Sequence, residues 1–460
     1  MSQFNSLAYT QWQSQLKLND TFLEALFPKL CKDGVFILKK TRLETGVRKS
    51  KKIAVCFSGG PAPGGHSVVA AIAKHFQDNH TLIGVLNGPK GLLNESFVEL
   101  TSQEVERVNH TGGFHLLGTD RTKLTTMDQF NTIKANVLKH NIDGIIFIGG
   151  DDTHTNAVFL AEALYDIGCS VVGVPKTIDG DLRYEPYLAH PFGFSTAVEL
   201  YATLVNNLIL DTKSTQKYWH MVKLMGRTTS HVTKQVGRIT TPDMCIISEL
   251  LAKKSTSLAE LITQITTKIH TDYKRKKAYG VICFAEGLLE FLPDVTMLIQ
   301  QLNSLVSVSK YTTTSVYNNL SKQNQDTFDL FPTYIQEQLL LDRDSHGNIN
   351  LSRIDSERCL IELCQQELAK NFNNRSIQFI PHFFGYIARC HSPNAHDRNL
   401  CTHLGKIAAE LVLENHTGYM AAFNPTDPAL SYYGIPILAM LVKQARGNNS
   451  NYVVKKVLVD

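Results

Sequence analysis

One repeated unit, beginning at Ile53, constrains the fold more than any other feature. A short apolar, β-branched run halts at glycine or a charged residue, and a helix-like stretch follows. Ile53–Phe57 passes through a glycine-rich turn into the helical Val68–Phe76, and Thr81–Leu86 is a second strand. Gly144–Ile148 halts at Gly149, Gly150, Asp151 and Asp152 before the helical Asn156–Tyr165, and Val171–Val174 runs into Pro175–Asp181. Runs that are apolar throughout, without alternation, belong to parallel strands covered on both faces. A second series follows: Met221–Leu224, Met244–Ser248, Gly280–Phe284 and Gln378–Phe384. Residues 291–376 are richer in Gln, Asn and Ser, lack strand rhythm and read as a helical insertion. The predicted fold is α/β: two Rossmann-like lobes with mainly parallel sheets, plus the insertion. Residues 1–50 read as a helical leader. Residues 51–190 form the first lobe, completed by about 390–445, and 191–389 the second, with 446–460 as a candidate completion.

Ligands of such sheets lie at the carboxyl ends of the strands. The first turn, Ser58–His66, offers glycines that admit a close ligand and a helix start that directs N–H groups at it. It is neither a P-loop nor a dinucleotide fingerprint, and taken alone it also reads as a tight strand–helix connection. At the second end Asp151 and Asp152 repel each other unless a cation offsets them, and a hard divalent ion bridging phosphate oxygens is the natural partner. Helix capping by Asp152 or Thr153 is the structural alternative for one of them. At the third end Lys176, Asp179 and Asp181 share a loop. An aspartate there can take a proton from an attacking hydroxyl while the lysine steadies phosphate charge. Cradle, metal-type carboxylate and base are the parts that phosphoryl transfer requires.

Composition excludes other classes. Hydrophobic residues at 43% and charged residues at 19% are ordinary for a globular protein. A net charge of +4 is too small a surplus to predict nucleic acid or anionic membrane as a partner. No run approaches the roughly 20 apolar residues of a bilayer crossing, and the first residues lack the pattern of a secretory signal. Nine cysteines without a Cys-x-x-Cys pair, with Cys56 and Cys283 inside apolar runs, read as buried thiols of a cytoplasmic protein. The spacing of Cys390, His391, His396, Cys401 and His403 fits no common zinc pattern. The basic run Arg48, Lys49, Lys51 and Lys52 reads as a solvated linker, and Lys274–Lys277 as a helix end.

Six segments in order, Phe57–His66, Gly149–Asp152, Pro175–Leu182, Leu224–Arg227, Glu286–Leu288 and Gly385–Arg389, resemble the motifs of the phosphofructokinase superfamily over residues 53–440. The match is most similar to its pyrophosphate-dependent branch. That resemblance implies reversible phosphoryl transfer from pyrophosphate to the 1-hydroxyl of fructose 6-phosphate, with Mg2+, in a homodimer. It implies that the first lobe holds pyrophosphate and Mg2+ and the second fructose 6-phosphate. Gly59, Gly60 and Arg121 would hold pyrophosphate and Asp151 the metal. Asp179 would be the base, with Asp152 and Lys176 completing the catalytic set. Thr177, Ile178, Asp179, Met225, Gly226, Arg227, Glu286, Tyr386 and Arg389 would contact the sugar phosphate, and Lys217 and Tyr218 would reach the substrate of a partner subunit.

ATP-using relatives tend to carry glycine at the places of Asp152 and Lys176. A carboxylate about 4 Å from a nucleotide's α-phosphate, at an effective dielectric near 20, would cost roughly 4 kcal/mol, which pyrophosphate escapes. Several positions depart from the family pattern, among them the segment His231–Gln235. Ser67 and His110 each stand where Asn is expected, and Ser195 where Asp is expected. Asp120 replaces a small residue and is expected to weaken pyrophosphate binding through its charge beside Arg121. A non-catalytic regulatory subunit would lack Asp151 or Asp179, and both are present. An ATP-dependent enzyme is disfavoured by Asp152 and Lys176. A dinucleotide-binding dehydrogenase would need the Gly-x-Gly-x-x-Gly fingerprint, which is absent.

Overall fold

The structure, a computed structural model, describes residues 10–11, 16, 18, 22–32, 34–40, 49–76, 79–306, 313–341, 349, 354–425, 432–446 and 449–459. Arg48 and much of the leader lie outside these. The chain forms two compact units, Met1–Ala197 with Ala388–Val457, and Val198–Ile387 with Leu458–Asp460.

The strands, in chain order, are β1 (Thr10–Gln11), β2 (Leu38–Lys40), β3 (Lys52–Phe57), β4 (Thr81–Val85), β5 (Phe97–Glu99), β6 (Gly144–Gly149) and β7 (Ser170–Pro175). They continue as β8 (Trp219–Leu224), β9 (Met244–Ile246), β10 (Gly280–Ala285), β11 (Phe379–Phe384), β12 (Tyr419–Phe423), β13 (Tyr432–Pro436), β14 (Leu441–Arg446) and β15 (Asn449–Val454). The first unit holds a sheet of order β1-β2-β13-β12-β7-β6-β3-β4-β5. Its centre, from β12 through β7, β6 and β3 to β4, is parallel, and the flanking pairs are antiparallel. The second unit holds the fully parallel sheet β11-β8-β10-β9. The predicted α/β class is therefore observed.

The apolar runs are strands because they are buried on both faces. All six residues of β6 and of β7 are buried, as are those of β8 and β10. At ~25 cal/mol per Å² of apolar surface removed from water, these doubly covered strands contribute to each core together with the helices that pack on them. The leader contributes a short helix, Phe22–Leu26, and the strands β1 and β2. Described residues of 291–376 form the helices Pro293–Val306, Thr313–Asn318, Lys322–Leu330, Thr333–Leu341 and Ser356–Asn371. Two basic runs differ in fate. Lys51 donates to the Val412 carbonyl and to Asn415, at 2.7 and 2.8 Å, so it satisfies a helix end instead of floating in a linker. The helix Leu258–Lys274 does end in the second run, where Lys277 pairs with Asp243 and Asp272.

Candidate active site

In the first sheet the chain leaves β3 toward β4 on one side, while β6, β7 and β12 build the other side. Adjacent strands whose connections depart in opposite directions open a crevice at their carboxyl ends. The turn after β3, the start of the helix after β6 and the loop after β7 all meet there.

Backbone geometry explains the first turn. Gly59 has φ +83°, a left-handed conformation that favours glycine. Its N–H donates to the Asp120 carbonyl at 2.8 Å and its own carbonyl accepts from Thr119 Oγ1 at 2.8 Å. The Gly59 amide is thus spent on holding the turn, whereas the sequence assigned it to pyrophosphate. A Cβ on Gly60 would lie 2.8 Å from Arg389 Nη1 and 3.6 Å from Arg121 Nη2, and one on Gly59 would lie 3.7 Å from Lys176 Nζ. Three cationic groups converge on this glycine turn.

The Lys176 ammonium is buried, and burial pulls its pKa down to about 8. Asp179 and Asp151 oppose that fall, while Arg389 and Arg121 add to it. His66, at the start of the helix Gly65–Phe76, is kept neutral: burial first, then His115, lowers its pKa to about 4. Its Nδ1 donates to Thr111 Oγ1 at 3.0 Å and its Nε2 accepts from the Leu116 N–H at 3.3 Å. The imidazole thereby ties the glycine turn to the loop that leads to Arg121.

Asp120 behaves differently from its sequence reading. Its carboxylate accepts from Thr122 Oγ1 and lies 3.5 Å from the Lys90 main-chain N–H, while its backbone supports Gly59. The charge expected beside Arg121 is turned toward other donors.

The helix after β6 spans Asp151–Leu164, beginning five residues before the sequence reading. Gly150 occupies its N-cap with no side-chain bond, so neither Asp152 nor Thr153 caps it. Asp151 Oδ2 lies 3.6 Å from Lys456 Nζ. Asp152 projects outward with its side chain 59% exposed, 3.7 Å from Lys123 Nζ. After β7, the Asp179 N–H donates to Thr177 Oγ1 at 3.0 Å, and Asp179 Oδ1 is buried without a hydrogen-bond partner among the described residues. Ile178 is buried. Asp181 is buried too, and burial holds its carboxyl above the ordinary range, with Lys456 opposing and Asp179 reinforcing.

In the second unit, Met225, Gly226 and Arg227 follow β8, and Glu286 follows the adjacent β10. The Glu286 N–H donates to the Leu224 carbonyl at 2.8 Å and the Gly287 N–H to Gly226 at 3.0 Å, which locks the two loops together. Met225 and Glu286 are buried and Arg227 is exposed. Tyr386 follows β11 and is 65% exposed. Lys217 and Tyr218 precede β8, at the strand end opposite Met225, roughly 20 Å away for a six-residue strand.

The Cys390–His403 group is dispersed: Cys390 is exposed, Cys401 is buried and His403 stacks on Phe423. Among the described residues no three His, Cys, Asp or Glu side chains gather as a ready metal site. Lys456 escaped the sequence reading because nothing in its local pattern marks it.

Residues 52–412 match the phosphofructokinase family, and the chain belongs to that family. It is 36% identical over 431 residues to the pyrophosphate–fructose 6-phosphate 1-phosphotransferase of Treponema pallidum (strain Nichols), covering 89% of this chain and 75% of the relative. The like-named protein of Porphyromonas gingivalis is 37% identical over 430 residues, covering 89% and 78%. A solved pyrophosphate-dependent phosphofructokinase from Nitrosospira multiformis matches with TM-score 0.58 at 14% identity, over 90% of this chain and 86% of that one, a likeness of fold.

Proposed function

We propose that the protein transfers a phosphoryl group reversibly from pyrophosphate to the 1-hydroxyl of D-fructose 6-phosphate, giving D-fructose 1,6-bisphosphate and phosphate. The observation that carries this reading is the convergence of Lys176, Arg121 and Arg389 on the Gly59–Gly60 turn, beside the unpartnered Asp179 Oδ1. Three cations around a side-chain-free turn suit a compact polyanion. The relatives' names supply the same donor and acceptor.

In this reading Asp179 accepts the proton of the attacking hydroxyl, with Thr177 fixing its backbone. Lys176 and Arg121 hold pyrophosphate, and Lys176 neutralises the charge on the departing phosphate. Met225, Gly226, Arg227, Glu286, Tyr386 and Arg389 bind the sugar phosphate.

A divalent cation, Mg2+ by its hardness, would be held by Asp151 together with phosphate oxygens, as suits an ion that uses one or two carboxylates plus substrate. Its chemistry would be charge neutralisation across the phosphates. The residues fit such an ion: Asp151 is partly exposed, and Asp179 Oδ1 is buried without a donor among the described residues.

A homodimer accords with Lys217 and Tyr218 lying at the far end of β8 from Met225, away from the loop that Met225 begins. A cytoplasmic setting accords with nine free cysteines. Among the described residues no helix is long and apolar enough to cross a membrane.

The test is a coupled assay with fructose 6-phosphate that compares pyrophosphate with ATP as donor. Product formation with pyrophosphate, lost in D179A, is the expected result. Activity surviving in D179A would remove Asp179 as the base.

A further inference from the structure

The strand β15 leads into a segment that is fixed on both sides of one lysine. The Val454 N–H donates to Thr155 Oγ1 at 3.1 Å, and Thr155 donates to the Asp151 carbonyl at 2.9 Å. The Lys455 N–H donates to the Met440 carbonyl at 2.9 Å and the Val457 N–H to the Asp181 carbonyl at 2.8 Å. The backbone around Lys456 is therefore tied to the helix that starts at Asp151 and to the loop that carries Asp181. Its Nζ lies 3.6 Å from Asp151 Oδ2 and 3.4 Å from Asp181 Oδ2.

We infer that Lys456 is a positioning residue: its ammonium bridges Asp151 and Asp181 as an internal cation and sets how readily a divalent ion takes Asp151. This rests on the proposal that Asp151 is the metal ligand. Three carboxylates, at 151, 179 and 181, occupy neighbouring strand ends, and Asp181 is nearly excluded from water. A fixed cation between two of them lowers their mutual repulsion without any ion from solution. It also repels a divalent ion that approaches Asp151 alone. Metal that arrives already bound to pyrophosphate carries compensating negative charge and escapes that repulsion. Lys456 thus favours the metal–pyrophosphate complex over the free ion as the species that loads the site.

The test uses Mn2+ and the full chain without pyrophosphate, with free Mn2+ read by its paramagnetic resonance signal. K456M keeps the aliphatic stem and removes the charge. It is expected to bind Mn2+ about tenfold more tightly, the effect of a unit charge some 5 Å from a divalent ion in a water-like dielectric. K456R should bind as the unsubstituted protein does. An affinity within twofold of the unsubstituted protein, in K456M or in K456Q should K456M not fold by circular dichroism, overturns the inference. D151N separates the two ideas. Weakened Mn2+ binding in D151N with no change in K456M defeats only the role of Lys456. Unchanged binding in D151N defeats the metal ligand and the role of Lys456 with it.

Discussion

Ser67 Oγ lies 3.2 Å from His110 Nδ1 and 3.3 Å from the His110 main-chain nitrogen. Two departures from the family pattern, 43 residues apart, are therefore one local exchange. The hydroxyl accepts the backbone N–H and donates its hydrogen to Nδ1 when the imidazole carries its proton on Nε2. His110 has φ 63°, a left-handed conformation that Asn adopts more easily than His. The paired hydroxyl helps to hold it there. S67A should cost about 0.5–1.5 kcal/mol in urea unfolding, because it removes a hydrogen bond to the His110 main chain. In the cycle with H110A the two losses should fall short of additive by at least about 0.5 kcal/mol. Strict additivity would mean the sites act independently.

Asp120 gives a prediction opposite to the one its sequence position suggests. Its carboxylate is engaged by Thr122 and lies near the Lys90 main-chain N–H, and what reaches the turn is its carbonyl, which any residue supplies. D120S should leave the KM for pyrophosphate within about twofold, since surface-type charge changes away from a ligand act weakly. A KM that falls tenfold in steady-state assays would restore the repulsion argument.

How far the site was legible follows from which side chains share a local pattern. Residues 53–57, 144–148 and 171–174 stand inside β3, β6 and β7 because burial on both faces writes itself as an unbroken apolar run. The antiparallel additions were not legible. β5 has two exposed residues, and half of the residues of the hairpin β14–β15 are polar, so neither shows that signature. Asp151, Lys176 and Asp179 were visible because strand ends in a parallel sheet must meet. Lys456 was not, because its place depends on a hairpin that begins about 260 residues beyond the loop it touches. Ser195 similarly finds its partner, Asn394 Nδ2 at 3.1 Å, only through tertiary packing.

Lys176 couples stability to pH. Its ammonium is drawn down to about 8 from the ordinary 10.5, burial being the main cause. Between those values the folded protein holds fewer protons at this residue than the unfolded chain, so its effect on stability improves as pH rises across that window. Below pH 8 the buried ammonium costs stability in full. K176M should therefore stabilise the protein at pH 7 by about 1–3 kcal/mol, while removing activity with pyrophosphate. The unsubstituted enzyme should lose kcat/KM for pyrophosphate above about pH 8. Thermal unfolding and steady-state rates across pH 6–10 check both, and a K176M protein less stable at pH 7 would contradict the burial argument.

Donor choice is the place where the structure changes a magnitude. Asp152 is 59% exposed and lies 3.7 Å from Lys123 Nζ. Water and that cation move the effective dielectric toward the bulk value, where two charges 4 Å apart repel by about 1 kcal/mol, not 4. Asp152 alone then disfavours a nucleotide by about fivefold. D152G should raise kcat/KM for ATP by less than about tenfold, and the double variant D152G/K176G, which also removes the buried ammonium, is where measurable ATP use is expected. A rise of a hundredfold in D152G would show that its charge acts in a drier site than the free protein presents. Unchanged exclusion of ATP in the double variant would remove both residues from donor choice.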